Sequence, residues 1–100
     1  MIIERLIWDD WNEEHLLKHG CTADDVKFMC SRRVHHFRDS YKGRKVFLGE
    51  NANGRVLAVI LGPVPNAPHG TFYPFSARPA DRKEQAFYEL KERGEHSAHS

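Results

Sequence analysis

Apolar positions recur along this chain at two intervals, one helical and one extended, and the change between them divides it into elements. Ile2 to Trp8 is apolar and β-branched at its start, which predicts a short strand. Asp10 stands three residues before Glu13, the spacing of a capping box, so a helix is expected over Trp11–His19, with Gly20 as the left-handed residue after its end. Thr22 opens a second cap, and Asp24 and Asp25 fall in the first turn, where the helix dipole favours acids. Val26, Met29 and Cys30 then share one helical face. Extended segments follow: a short one over Val34–Phe37 and a better one over Arg44–Glu50. Asn51-Ala52-Asn53-Gly54 is a turn, and the strongest strand of the chain runs from Arg55 to Leu61. That strand is apolar on both faces, with Val56, Ala58 and Ile60 on one and Leu57, Val59 and Leu61 on the other, as in a central strand. Pro63, Pro65 and Pro68 make residues 62–70 a loop. Thr71 to Ala77 is extended again, and Pro74 inside it calls for an edge position or a bulge. Pro79 suits the first turn of a last helix with Phe87 and Leu90 as its buried stripe, and Gly94 fits its stop.

This order predicts an α+β fold: a twisted antiparallel sheet with two N-terminal helices and one C-terminal helix, the helices lying against one face. A chain of 100 residues fits one domain, expected over 1–94, with 95–100 as a frayed tail. No apolar run approaches the roughly 20 residues of a membrane span. The start, Met1-Ile2-Ile3-Glu4-Arg5, lacks the pattern of a signal peptide, so a cytoplasmic protein with no membrane association is expected. Cys21 and Cys30 form neither a disulfide framework nor a zinc site, and Cys30 is expected as a buried thiol.

Charge adds what periodicity does not. The net charge is only +1, but residues 1–31 carry three basic and seven acidic side chains, a net −4, and residues 32–55 carry seven basic and two acidic, a net +5. The basic middle third suits a polyanion or an acidic partner, and equally an ordinary solvated hairpin. The segment Phe75-Ser76-Ala77-Arg78-Pro79-Ala80-Asp81-Arg82-Lys83-Glu84 reads as a strand running into a helix, with three basic side chains close to the junction. Arg78 is the candidate phosphate clamp, because its planar fork can hold two phosphate oxygens; the alternative is a surface ion pair with Asp81 or Glu84. Glu84 and Tyr88 are four apart and share a helix face. Glu84 is a candidate to orient Arg78 or take a proton, Tyr88 a candidate proton donor if a cation lowers its pKa, and Lys83 a supporting cation. Arg44 and Arg55 flank one hairpin and are expected to face each other across it, with Arg82 and His19 as further residues for binding a polyanion or a partner. His15 and His19 have the i, i+4 spacing of metal ligands, but no third ligand accompanies them, so neither metal nor cofactor is expected. His35 and His36 are adjacent and would point to opposite faces of a strand. Trp8 and Trp11 are expected in the core, with base stacking as the lesser option.

Several of these marks coincide. Trp8-Asp9 and Asn12 lead to Lys18-His19-Gly20. Tyr41-Lys42-Gly43-Arg44, Leu48-Gly49 and Gly54-Arg55 follow. Ser76-Ala77-Arg78-Pro79-Ala80 then precedes Arg82-Lys83-Glu84 and Tyr88. Together, over roughly residues 3–88, they resemble the BrnT family of type II toxins. The resemblance implies a compact fold like that of the RelE toxins and a metal-independent ribonuclease that arrests growth by cutting RNA. It also implies a cognate antitoxin, usually a ribbon-helix-helix DNA-binding protein that covers the toxin. The chain departs from the family in Gln85-Ala86-Phe87, where many members place further basic residues, and in its near-neutral charge. These departures keep open a second expectation, a non-catalytic module with the toxin fold that only binds such a partner.

Overall fold

The structure is a computed structural model and describes residues 3–97. Strand β1 (Arg5–Leu6) is followed by helices α1 (Asp10–Lys18) and α2 (Ala23–Cys30), strands β2 (His36–Asp39), β3 (Lys45–Glu50), β4 (Val56–Pro63) and β5 (Thr71–Pro79), and helix α3 (Arg82–Ser97). The fold is α+β, with two helices before the main sheet and one after it, as the sequence predicts.

Each helix starts where a short polar side chain meets its orphan amides. Asp9, not Asp10, caps α1: its carboxylate accepts from the Asn12 amide, and the Asn12 side chain accepts from the Asp9 amide. The reciprocal pair is therefore one residue upstream of the Asp10–Glu13 spacing and uses a shorter partner. Thr22 and Asp25 form the same device on α2, as expected. Gly20, with φ +74, turns the chain between the two helices, a conformation that costs an L side chain. At α3 the box is Asp81 with Glu84. Pro79 ends β5 rather than starting α3, which begins at Arg82. The helix also passes through Gly94 to Ser97; the rest of the expected tail lies outside the described residues.

The sheet order is β1-β5-β4-β3-β2, which puts β4 in the centre. Strands β2 to β5 form an antiparallel meander. The short β1 runs parallel to β5, so the sheet is mixed and not wholly antiparallel. The expected strand over residues 2–8 shrinks to two residues because the chain leaves β5 to enter α1; Ile2 itself lies outside the described residues.

The helices occupy both faces of the sheet, not one. Leu16, Val26 and Met29 of α1 and α2 pack with Phe47, Leu57, Val59, Leu61, Phe72 and Ala77. On the opposite face Tyr88 of α3 packs with Leu48, Ala58 and Ala80, and Phe87 lies against them. This is why β4 is apolar on both sides. Full burial of a side chain such as Leu57 or Val59 contributes about 1.5–3 kcal/mol, so both layers matter to stability.

Pro74 sits in an inner strand because a bulge accommodates it. Ile60 pairs with Ser76 but Leu61 pairs with Pro74, which leaves Phe75 as the extra residue. The Phe75 ring comes to lie over Gly62: a Cβ there would fall 2.2 Å from the ring. Trp8 is half-buried against the core, whereas Trp11 is 55% exposed and stacks on His15 at 4.8 Å, so the core role expected of Trp11 does not hold.

Candidate nucleic-acid interface

Register determines which side chains share the face that α3 half covers. His36, Leu48, Ala58 and Arg78 form one row across the sheet, and Arg38, Val46, Ile60 and Ser76 form the next. Strand alternation brings Arg44 to the same face one further step along β3. Helix α3 lies over the first row. Val46, Ile60, Ser76 and Arg44 remain partly open beside it.

Arg78 and Glu84 meet at the start of α3. The guanidinium donates to both carboxylate oxygens, at 2.6 and 2.9 Å. Glu84 is only 4% exposed and also accepts the Asp81 amide at 2.9 Å. The hydrogen bonds from Arg78 hold the Glu84 carboxyl below its ordinary pKa, against the opposing effect of burial, with the Asp81 amide and the charges of Arg78 and Arg38 helping. The same hydrogen bonds raise the pKa of Arg78. Glu84 takes two of the five N–H groups of the guanidinium, and the Arg78 side chain is 43% exposed, so donors remain for a phosphate. The structure shows the ion-pair reading of Arg78, with Glu84 as the partner that fixes the plane of its fork.

Two further arginines lie on the same face. Arg38 lies 5.7 Å from the centre of the Phe87 ring, and Arg44 lies 4.3 Å from that of Phe75. Arg82 and Lys83 are exposed in the first turn of α3, beside the positive end of the helix dipole. Cations there cost a few tenths of a kcal/mol each, a placement that stability does not explain and an anion would.

Other candidates are placed elsewhere. Tyr88 is 3% exposed, donates its hydroxyl to Glu92 at 3.0 Å and meets His36 edge-on. Burial, then the Glu92 hydrogen bond, pushes its pKa up and not down, so Tyr88 is a core residue without the lowered pKa that proton donation required. Arg44 and Arg55 do not face each other. Arg55 follows the turn opposite Asn51, whereas Arg44 lies beyond the far end of β3, seven residues or roughly 20 Å away. Arg55 instead borders a cavity of about 330 Å³ lined also by Gln85, Tyr88, Glu50 and Glu89, and the carboxylates of the two glutamates would repel a polyanion. His19 caps the C-terminus of α1, in the layer on the other face, edge-on to His15 at 5.3 Å. Among the described residues no group of three or more His, Cys, Asp or Glu side chains is placed to hold a metal ion. Burial pushes the Cys30 thiol up to about 11.

The structure also assembles a network that sequence reading missed. The Glu92 carboxylate receives Tyr88, His36 Nε2 at 2.9 Å and Arg32 at 2.9 Å. Burial works against its ionisation, but the bonds from His36 and Tyr88 and the Arg32 charge hold its pKa below the ordinary value. Tyr88 and Glu92 are four apart, a signal present in the sequence; His36 is 56 residues distant and gave none.

These two depressed carboxyls give a sign to the acid response. Each stabilises the fold fully above its unfolded value of about 4.5 and loses that contribution as pH falls through its lower folded value. The urea midpoint should therefore hold steady from about pH 7 to 5 and fall below about pH 4.5. Glu92→Gln should lower the midpoint at neutral pH and flatten the acid limb. An acid limb as steep as that of the parent chain would remove Glu92 as its source.

No family model matches this chain, and a search of curated proteins finds no match either. Among the described residues no helix is long and apolar enough to cross a membrane.

Proposed function

We propose that the chain is the toxin of a type II toxin–antitoxin pair, a metal-independent endoribonuclease of the cytoplasm. The observation that carries this reading is the Arg78–Glu84 pair at the start of α3, with Arg38 and Arg44 on the same partly open face. The BrnT-like order of motifs over residues 3–88 supports it as a resemblance. Cleavage through the 2′-hydroxyl requires that negative charge building on phosphorus be met by a cation already in place. Arg78 supplies that cation, and Glu84 fixes its plane before substrate arrives, so little reorganisation is needed in the transition state. Arg38 and Arg44 attract the flanking phosphates, and Arg82 and Lys83 add charge at the rim. The partner that follows is an antitoxin, of the ribbon-helix-helix kind in this family, presenting acidic groups to the same face.

Inducing the chain alone in cells tests the proposal. The unaltered protein is expected to stop growth and deplete RNA. Arg78→Ala should remove the arrest and lower cleavage by about 100- to 1,000-fold, the usual loss when a transition-state donor is deleted, with circular dichroism unchanged. Full toxicity in Arg78→Ala would sink the assignment. A second reading, a non-catalytic module of the same fold, is favoured by one observation: the Arg78 fork is already held by Glu84 in the free chain. A protein that binds its partner yet leaves growth and RNA untouched belongs to that reading.

A further inference from the structure

The open part of the α3 face carries an aromatic and cationic stack that phosphate chemistry alone does not use. Phe75, the extra residue of the bulge, lies with its ring over Gly62, where no Cβ could be accommodated. Arg44 lies over the same ring, 4.3 Å from its centre. Tyr73 meets Phe75 edge-on at 5.0 Å, and its hydroxyl donates to the Asp9 carboxylate at 2.9 Å. Asp9 also accepts the Asn12 amide as the cap of α1. A chain of contacts thus runs from the α1 cap through Tyr73 and Phe75 to the guanidinium of Arg44. All three of Arg44, Tyr73 and Phe75 are half-buried, so each keeps an accessible side.

We infer that Arg44, supported by Phe75, is a stacking platform for one unpaired base of a single-stranded RNA. The inference rests on the RNA reading of this face and deepens it. A planar guanidinium backed by an aromatic ring offers its outer side to a nucleobase, and such stacking tolerates any base because every base has a π face. A base inside a duplex is already stacked on both sides and cannot use it, so the substrate class is single-stranded. The surroundings suit RNA better than a protein partner. Arg38 is exposed on the same face and the Arg78 side chain there is 43% exposed, while the apolar groups beside the stack, Val46 and Ile60, are each partly covered, unlike the broad apolar patches that bind protein. Arg78 lies two strands away on the same face, so a strand with its base on Arg44 can run its backbone toward the clamp. Tyr73 is a positioning residue: it buttresses Phe75 and need not touch the base.

The test uses the full chain and an oligoribonucleotide of about six nucleotides, 2′-O-methylated throughout so that it cannot be cut. One position carries 2-aminopurine, whose fluorescence falls on stacking; a matched oligonucleotide is abasic there. The unaltered protein is expected to quench the probe and to bind the abasic form roughly tenfold more weakly. Arg44→Lys keeps the charge but loses the plane, and Phe75→Leu keeps apolar cover on Gly62 but loses the ring. Both should lose the quenching and the preference while still binding the abasic oligonucleotide. Tyr73→Phe should weaken quenching in part. Equal binding of the two oligonucleotides by the unaltered protein, or preference and quenching unchanged in Arg44→Lys and Phe75→Leu, overturns the inference. So does Arg44-dependent binding of an acidic peptide with no binding of either oligonucleotide. Because the probe is not cleaved, these outcomes are independent of the growth-arrest assay: a chain that cuts RNA without the stacking preference keeps the nuclease reading and loses this one.

Discussion

Replacing Asn12 with alanine is expected to cost about 3 kcal/mol of stability, the largest single effect among the polar residues. Asn12 is fully buried, with 0% exposure. Its side-chain amide donates to the Ile7 carbonyl at 2.9 Å, and its carbonyl oxygen accepts the Asp9 amide at 2.9 Å. Alanine removes the buried partner of both backbone groups, and each such loss costs about 1–3 kcal/mol. The chain between β1 and α1 would lose its fixed path, and Asp9, which holds Tyr73, would lose half of its capping box. Urea unfolding measures the effect directly, and the melting temperature should fall by more than about 10 °C for a domain of this size. Asn12→Asp should be no milder, because it keeps an acceptor but buries a charge and removes the donor to Ile7. A midpoint within about 0.5 kcal/mol of the parent chain would mean that these bonds do not hold the helix start.

Glu84→Ala is expected to separate binding from cleavage. The stability loss should be about 2 kcal/mol, roughly half from the α3 cap and the rest from the Arg78 bonds. That second share is held down because the Arg78 side chain is 43% exposed and water screens the pair. The functional effect is larger. Without Glu84 the Arg78 fork is free of its competitor but no longer fixed, so RNA binding should be kept or tightened while cleavage falls at least tenfold. Gel shift with an uncleavable RNA and a cleavage assay on the same preparation give the two numbers. Parallel loss of both would show that Glu84 acts only through folding, which urea titration of the variant would confirm.

What could be read from the sequence was local. The Thr22 cap, Gly20, the bulge implied by Pro74 and the central position of β4 each depend on neighbours a few residues away. Apolar residues on both faces of β4 also implied cover on both sides of the sheet, although the one-face arrangement of helices overlooked it. Arg78 and Glu84 are six residues apart and were legible as a pair. Arg38 and Phe75 were not, because their place on the face depends on the registers of β2 with β3 and of β4 with β5, and on a bulge that turns one extra ring over Gly62. Arg44 and Arg55 misled for the same reason: the turn at residues 51–54 sets Arg55 against Asn51 and sends Arg44 to the other end of the hairpin. Tyr88 looked available because its spacing to Glu84 is correct, but a shared helix face is as often the buried one.

The parallel pairing of β1 with β5 sets an order of assembly. Arg5 lies beside Thr71 and Leu6 beside Phe72, and α1 packs mainly on β5. β1 therefore pairs with a strand 66 residues further along, with β2, β3 and β4 between them. That pairing closes a long loop, whereas the antiparallel hairpins, whose partners lie close in sequence, close short ones and can form first. The acidic N-terminal layer thus closes over a sheet built wholly from residues that follow it in sequence, β1 apart.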